Sequence, residues 1–599
     1  MAKSTTQAQA SQKLPNWDLS HLYEGPDAPA LHADLDDAER RAKAFSHAYA
    51  GKLAGLDGGA FALAIREYEA ITELLHRAMG YGQLLFTVNT SDSEIGRFYQ
   101  TLNERVTQIS TETLFFTLEI NRLDDRVLAD KLVDPDAGRY GPWLREVRQF
   151  RPHQLSDEME KLLHEKSVTG RAAWVRLFEE TFSDMRFDVE GIGEGLTQSQ
   201  VLNLMSDRDG AKRKAAAMAF GAKLNGNIRL LTLITNTLAK DKEIEDRWRH
   251  YDRPVSERNL ANQVEDEVVD ALVASVRASF ADLSHRYYAL KAKWFGKETL
   301  DYWDRNAPLP DDDSALYGWD DARQLVLDAY GAFTPQMAGV AERFFSEGWI
   351  DAEPREGKDS GAFAHPVVPS AHPYILMNFH GKARDVMTLA HELGHGVHQV
   401  LAAGQGTLMA DTPLTTAETA SVFGEMLTFR KMVDGEQSPK RRRILLAGKV
   451  EDMLNTVVRQ VAFHEFERRV HDERRTGELS SARLGEIWLD VQGESLGPAI
   501  RFDDNYRHFW AYIPHFVHTP FYVYAYAFGD CLVNSLYGVF SGGHEGFQQK
   551  YLDMLAAGGT KRHKELLAPF GLDASDPDFW NRGLAVVKGF IDELEAMED

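Results

Sequence analysis

Cysteine is nearly missing from this chain of 599 residues: Cys531 stands alone. One thiol forms no internal disulfide and builds no thiolate metal site, so any bound metal falls to His and carboxylate ligands. Long apolar runs are missing too, and no stretch approaches the roughly 20 residues a membrane-spanning helix needs. Basic residues are in deficit, 67 against 91 acidic, a formal net charge of −24. That balance argues against nucleic acid as a partner, because phosphate binding wants basic patches. The first residues, MAKSTTQAQASQKLPNWD, have no apolar core of the kind a secretory signal carries. Together these deficits predict a cytoplasmic location without membrane or nucleic-acid partners. Apolar content of 43% and charged content of 26% fit a soluble globular enzyme.

Among what is present, His391-Glu392-Leu393-Gly394-His395 carries the most chemistry. Two histidines four apart on a helix lie one turn from each other on the same face. Both imidazoles then reach one Zn²⁺ at roughly 2.0–2.1 Å. Glu392, beside the first ligand, is placed to accept a proton from the attacking water rather than to bind metal. The bland alternative is a helix with two histidines and a solvated glutamate between them. Val386, Leu389, Ala390, Leu393 and Val397 continue at helical spacing without proline, which favours a helix buried on the metal side.

Catalytic zinc takes three protein ligands and keeps one position open. His398 shares the helix angle of His391 but lies about 10 Å further along the axis, so the three histidines cannot converge on one ion. His398 is expected to support the site from behind or to pack on that face. Segment 414–430, LTTAETASVFGEMLTFR, reads as a second helix that Thr415 or Thr416 caps. Glu418 and Glu425 are seven apart and face one way beside Ala417, Ala420 and Gly424. Glu418 is expected to be the third ligand, with Glu425 hydrogen-bonding behind it.

HELGHGVH followed about twenty residues later by ETASVFGE resembles the M3 family of zinc oligopeptidases, which includes thimet oligopeptidase and oligoendopeptidase F. LPNWDLSHLYEGPD, AHPYILMNFHGKARDVMTLAHELGHGVHQ and HFVHTPFYVYAYAFG are similar to the oligoendopeptidase F branch, over about Leu14 to Leu594. The resemblance implies zinc histidines at His391 and His395, the general base at Glu392 and the ligand carboxylate at Glu418. It also implies a helical zincin-type fold with an enclosed channel that admits short oligopeptides. Thimet-type members carry a late His and several Tyr that stabilise the oxyanion; the spacing here departs from theirs.

On its own terms, the late segment places His515, His518, Tyr522 and Tyr526 on one face if it is helical, with Pro520 marking a helix start. An aromatic stripe commonly belongs to a core, but four hydrogen-bonding groups on one face need partners. His515, His518 or Tyr526, and Tyr522 beside them, are the candidate oxyanion donors. Tyr524 points to the opposite side and is expected to pack.

Elsewhere, periodicity predicts helices over 99–122, 208–250 and 264–294. The best strand signal is 373–379, directly before the metal helix and suited to hold a peptide by backbone pairing. REGKDSGAFAHP upstream is an ordinary loop or a mobile element over substrate. The expected organisation is a flexible tail at 1–20, an N-terminal helical domain at 21–195 and a catalytic domain at 196–599, divided near the glycines of FDVEGIGEGLTQSQ. The fold class is mainly α with a small β-sheet beside the HExxH helix. The expected activity is zinc endopeptidase action on oligopeptides with one Zn²⁺ per chain. Its rivals are a helical HExxH carboxypeptidase and a non-catalytic peptide-binding protein.

Overall fold

The computed structural model describes residues 13–167, 169–310 and 316–598. Helices dominate, and the described strands form one three-stranded and two two-stranded sheets. The chain separates into two compact units that interleave along the sequence. The first comprises 1–151, 314–435 and 543–571; the second comprises 152–313, 436–542 and 572–599. The first crossing between them thus falls at 151/152, and FDVEGIGEGL, expected near a domain boundary, is a β-hairpin within the second unit, pairing Phe187–Val189 with Gly193–Leu196. Residues 1–12 of the expected tail lie outside the described residues. From Pro15 onward the chain is tied down: the Pro15 carbonyl accepts from Ala352 and the Asp18 amide donates to Gly348.

In the first unit, helix Pro29–Tyr49 buries Leu31, Leu35, Ala38, Ala42 and Phe45, one stripe at helical spacing. It packs on helix Gly58–Thr87, and this core extends to Val367, Val368 and Tyr374. Helix α1 (Trp319–Phe333) precedes a sheet of β1 (Ile350–Asp351), β2 (Phe363–His365) and β3 (Tyr374–Leu376). β3 is central, parallel to β1 and antiparallel to β2. Both its edges are therefore used, and the expected peptide pairing along 374–379 is corrected: the outer strand beside the metal helix is β2, partly buried. β2 lies inside the segment read as a loop.

Two helices then carry the HExxH motif and the following acids, α2 (Ala383–Ala402) and α3 (Thr419–Gly435). The Asp385 carboxylate accepts the His380 and Lys382 amides and so fixes the start of α2. Val386, Leu389, Ala390, Leu393 and Val397 are fully buried. Gly394 sets the approach of α3: a Cβ there would come within 2.4 Å of the Ala420 carbonyl and 2.5 Å of Ser421 Cα. Both obstacles are backbone, so neither yields. Gly394→Ala is expected to lower stability by about 1–3 kcal/mol and to weaken metal retention, read by thermal melts and metal analysis. A wild-type melt would remove this glycine from the role.

In the second unit, α4 (Val458–Arg474) and α5 (Tyr524–Ser541) lie among helices Ile228–Trp248, Asp266–Ala278, Ser481–Leu496 and Pro577–Ala596. Phe463, Phe466, Trp488, Phe528 and Trp580 fill its interior. The predicted helical stretches are present but broken, at 112–114, at Asn227 and by a π-turn at Ala281–His285. Cys531 is a buried free thiol, pushed well above its ordinary pKa by burial. Among the described residues no helix is long and apolar enough to cross a membrane.

Candidate metal centre

His391 and His395 stand one turn apart on α2, their rings 4.9 Å apart and nearly perpendicular. Their Nε2 atoms each lie 3.3 Å from Glu418 Oε2. Two ligands about 2.0–2.1 Å from a tetrahedral ion sit about 3.3–3.4 Å from each other, so both spacings match an edge of a zinc tetrahedron. Among the described residues this trio is the one group of three or more metal-type side chains with converging ligand atoms.

Glu418 does not sit within one long helix as the spacing predicted. A short turn, Leu414–Ala417, ends before it, and its carbonyl begins the ladder of α3 by accepting from Val422. The break turns its carboxylate toward α2, and the Ser421 hydroxyl holds that carboxylate at 2.6 Å. Glu425, two turns into α3, reaches His391 Nδ1 at 3.3 Å. This leaves Nε2 of His391 for the ion side, the arrangement that fixes a ligating imidazole's tautomer. His398 is buried, does not converge with the trio, and hydrogen-bonds the Ala417 backbone, one residue before Glu418. Tyr330 of α1 donates its buried hydroxyl to the Ala390 carbonyl, next to His391. Gly424 makes room, since a Cβ there would meet that hydroxyl at 2.2 Å.

Carboxylate charge dominates this cluster. Burial pulls His391 down, yet the Glu425 hydrogen bond and the charges of Glu418 and Glu392 push it up to about 9. Burial raises Glu418, but His395, His391 and Ser421 outweigh it and hold the carboxyl down at about 2. Three carboxylates around two imidazoles call for a cation. Glu392, 6% exposed, differs from Glu418: burial lifts its pKa above the ordinary carboxyl value, opposed by the histidines and by a hydrogen bond from the Ala364 backbone. Ala364 belongs to β2, and its carbonyl accepts from Gln399 of α2. β2 is thereby fastened along the helix that carries Glu392.

The late aromatic set lies in the second unit and is not one helix. α5 begins only at Tyr524, after a short turn at His515–His518 and a reversal in which Phe521 adopts φ 59°. That left-handed backbone is costly for an aromatic residue, of order 1–3 kcal/mol. Glu467 of α4 holds it by accepting the Phe521 amide at 2.9 Å, and Arg171 holds the carbonyls of Val517 and His518 at 2.8 and 2.9 Å. The reversal brings three of the four residues together. His515 Nε2 is 3.3 Å from the Tyr526 hydroxyl, and the Tyr522 ring lies 5.8 Å from His515 and 5.3 Å from Tyr526. His518 turns away to Glu179 at 3.4 Å and the Phe178 ring. Tyr524 is fully buried and accepts from Asn262 at 2.8 Å, the packing position expected. Sequence reasoning missed Tyr330, Ser421, Ala364, Glu467 and Arg171. Their contacts cross 28 residues or more, Ser421 excepted, and leave no local pattern.

Comparison with known proteins adds to this geometry. The pattern of peptidase family M3 matches residues 336–586, and that of oligopeptidase F matches 119–187. Oligopeptidase PepF of Bacillus subtilis is 27% identical over 557 residues, covering 89% of this chain and 80% of its own. Group B oligopeptidase PepB of Streptococcus agalactiae is 26% identical, covering 97% and 96%. Among solved structures, a candidate peptidase from Chlamydophila abortus superposes with a TM-score of 0.86 at 22% identity, over 97% of this chain and 98% of that one. Oligoendopeptidase-F from Enterococcus faecium gives 0.70 at 20%, over 95% and 98%.

Proposed function

Since the chain belongs to peptidase family M3, in its oligoendopeptidase F branch, and is a metalloendopeptidase, we propose that it cuts internal bonds of short oligopeptides with one zinc held by His391, His395 and Glu418. The observation that carries this reading is the pair of 3.3 Å approaches to Glu418 Oε2, with Glu392 beside them on α2. Zinc bound there supplies a Lewis acid that lowers the pKa of water toward about 7 and polarises the scissile carbonyl. Glu392 accepts the proton of the attacking water and returns it to the leaving amine. Its raised pKa suits both halves of that task. Glu425 orients His391 through Nδ1, and His398 steadies the backbone that presents Glu418. The Tyr526 hydroxyl, with His515 and Tyr522 around it, donates to the oxyanion. His518, turned to Glu179, has the weakest claim of the four. The acidic balance of the chain, together with the finding that no helix among the described residues is long and apolar enough to cross a membrane, favours action on soluble peptides in the cytoplasm.

Mass spectrometry of products from a mixed peptide library, sorted by length, tests the activity. An internally quenched peptide blocked at both ends separates an endopeptidase from a carboxypeptidase, because a carboxypeptidase leaves it intact. No cleavage by the metal-loaded protein would leave a binding protein as the reading.

Metal content tests the ligand set independently of turnover. Glu418→Ala is expected to lose the ion. Glu425→Ala is expected to weaken it by about 10–100-fold, the usual range for a group that orients a ligating histidine. His398→Ala is expected to retain it. Equal loss in Glu418→Ala and His398→Ala would count against Glu418 as the ligand.

A further inference from the structure

Along one face of helix Gly58–Thr87, every turn but one is engaged. Glu69, Glu73, His76, Gly80 and Gln83 follow one another there at helical spacing. Glu69 accepts the Tyr140 hydroxyl at 2.7 Å and the Leu408 amide at 3.2 Å. Glu73 accepts the Thr407 hydroxyl at 2.8 Å. Gly80 lets Val367 and His365 close in, since a Cβ there would come within 3.0 and 3.3 Å of their side chains. Gln83 accepts from His365 Nε2 at 3.3 Å. Between them, His76 has no hydrogen-bond partner among the described residues.

A cavity of about 100 Å³ opens at that gap, lined by residues of the first unit alone. Four titratable side chains line it: His76, Arg343, His372 and Asp411. Two of them are satisfied. Arg343 pairs with Glu347 at 2.8 Å, and His372 bridges the Pro373 carbonyl and His21, each at 3.0 Å. The Asp411 carboxylate has neither ion pair nor hydrogen bond among the described residues. Burial raises the Asp411 carboxyl above its ordinary range and lowers the His76 imidazole below its own, each opposed by the other's charge. Both residues nevertheless remain exposed to solvent. Groups surrounded by protein yet open to water stand in a concavity rather than on a free surface. Its lining is shaped in advance. Val367 adopts φ 58°, a costly backbone for a β-branched residue, and its amide donates to His365 Nδ1 at 2.9 Å. Pro366 and Pro369 stiffen the same segment. Gln399 joins the cavity to the metal helix. Its side chain donates to the Ala364 carbonyl at 3.2 Å, and the Ala364 backbone also bonds Glu392. Gln399 lies two turns beyond Glu392 on α2, about 10 Å along the axis.

We propose that Asp411 and His76 receive a cationic group of the peptide substrate, foremost a lysine side chain a few residues from the cut. The inference rests on the reading that the metal centre hydrolyses oligopeptides. An ammonium offsets the cost of keeping the Asp411 charge among protein atoms, and the neutral imidazole of His76 accepts another of its protons. The aliphatic stem of the lysine packs along Val367 and the prolines.

The test walks one lysine through each position of an internally quenched peptide of otherwise neutral residues, acetylated at one end and amidated at the other. Norleucine at the same position is the uncharged counterpart, and mass spectrometry locates each cut. The norleucine peptide with a free N-terminus is a further arm, because an α-ammonium offers the same chemistry. Metal-loaded wild type is expected to favour lysine over norleucine by about 10-fold in kcat/KM, the lower end for hydrogen bonds to charged groups. The preference should fall at one fixed distance from the cut and lie mostly in KM. Asp411→Asn is expected to bring the ratio toward one, and His76→Leu to lower it in part. A preference for the free N-terminus in place of lysine would support the site and assign it the α-ammonium. Equal hydrolysis of all lysine, norleucine and free-terminus peptides by wild type overturns the proposal without recourse to a variant. A full lysine preference in folded Asp411→Asn overturns it as well. Failure of the underlying reading looks different: wild type would cut none of the peptides.

Discussion

Glu392→Gln is expected to keep its metal and lose turnover by a factor of about 10²–10⁴. Gln preserves length, shape and the hydrogen bond from the Ala364 backbone, but it cannot accept the proton of the attacking water. Burial already raises the Glu392 carboxyl above its ordinary pKa, which brings it closer to the range a general base needs at neutral pH. The amide has no such range. Because Glu392 is not among the converging side chains of His391, His395 and Glu418, metal analysis should find the variant loaded like wild type. Retention of a third of wild-type kcat on an oligopeptide would take the general-base role from Glu392. Loss of metal along with activity would mean that the side chain holds the ion itself.

Tyr526→Phe should lower kcat by about 10²–10³ with little change in KM, since an oxyanion donor acts mainly once charge has moved to the former carbonyl oxygen. The ring stays, and with it the contacts to His515 and Tyr522. Tyr524→Phe is the control two residues earlier. Its hydroxyl is buried and accepts from Asn262, so removing it takes away that bond at a stability cost of about 0.5–1.5 kcal/mol. Its kinetics at moderate temperature should remain near normal. A melt therefore separates the two variants in one direction and kcat in the other. The reverse ranking would place Tyr524 at the chemistry. Normal turnover in both would leave His515 as the donor to test next.

The HExxH centre was legible because its information is local. Spacings of four and seven residues report a helix face directly, and the structure places His391, His395, Glu418 and Glu425 in one cluster. Even there the reason differed in part: Glu418 meets the histidines from a helix break that Ser421 stabilises, not from the face of an unbroken helix. The late segment shows where periodicity stops working. His515, Tyr522 and Tyr526 do assemble, but through a left-handed Phe521 whose amide Glu467, 54 residues upstream, accepts. Helical projection grouped His518 with them, and the reversal sends it elsewhere. The strand at 374–376 was recognised by its apolar run, yet whether a strand is central or at an edge depends on partners at 350–351 and 363–365 that carry little signal in two or three residues.

The interleaved order of the two units also sets a clock. The HExxH helix leaves the ribosome about two-thirds of the way through the chain, but the unit that holds it ends only with 543–571. The Tyr551 hydroxyl donates at 2.7 Å to the carbonyl of Thr419, the neighbour of Glu418. At roughly 5–20 residues per second, the nascent chain spends about ten to thirty seconds with both histidines made and this support still unmade. During that interval the Thr419 carbonyl beside Glu418 is without this bond. Tyr551 thus reaches the centre well after both histidines are made, a delay written into the order of the sequence.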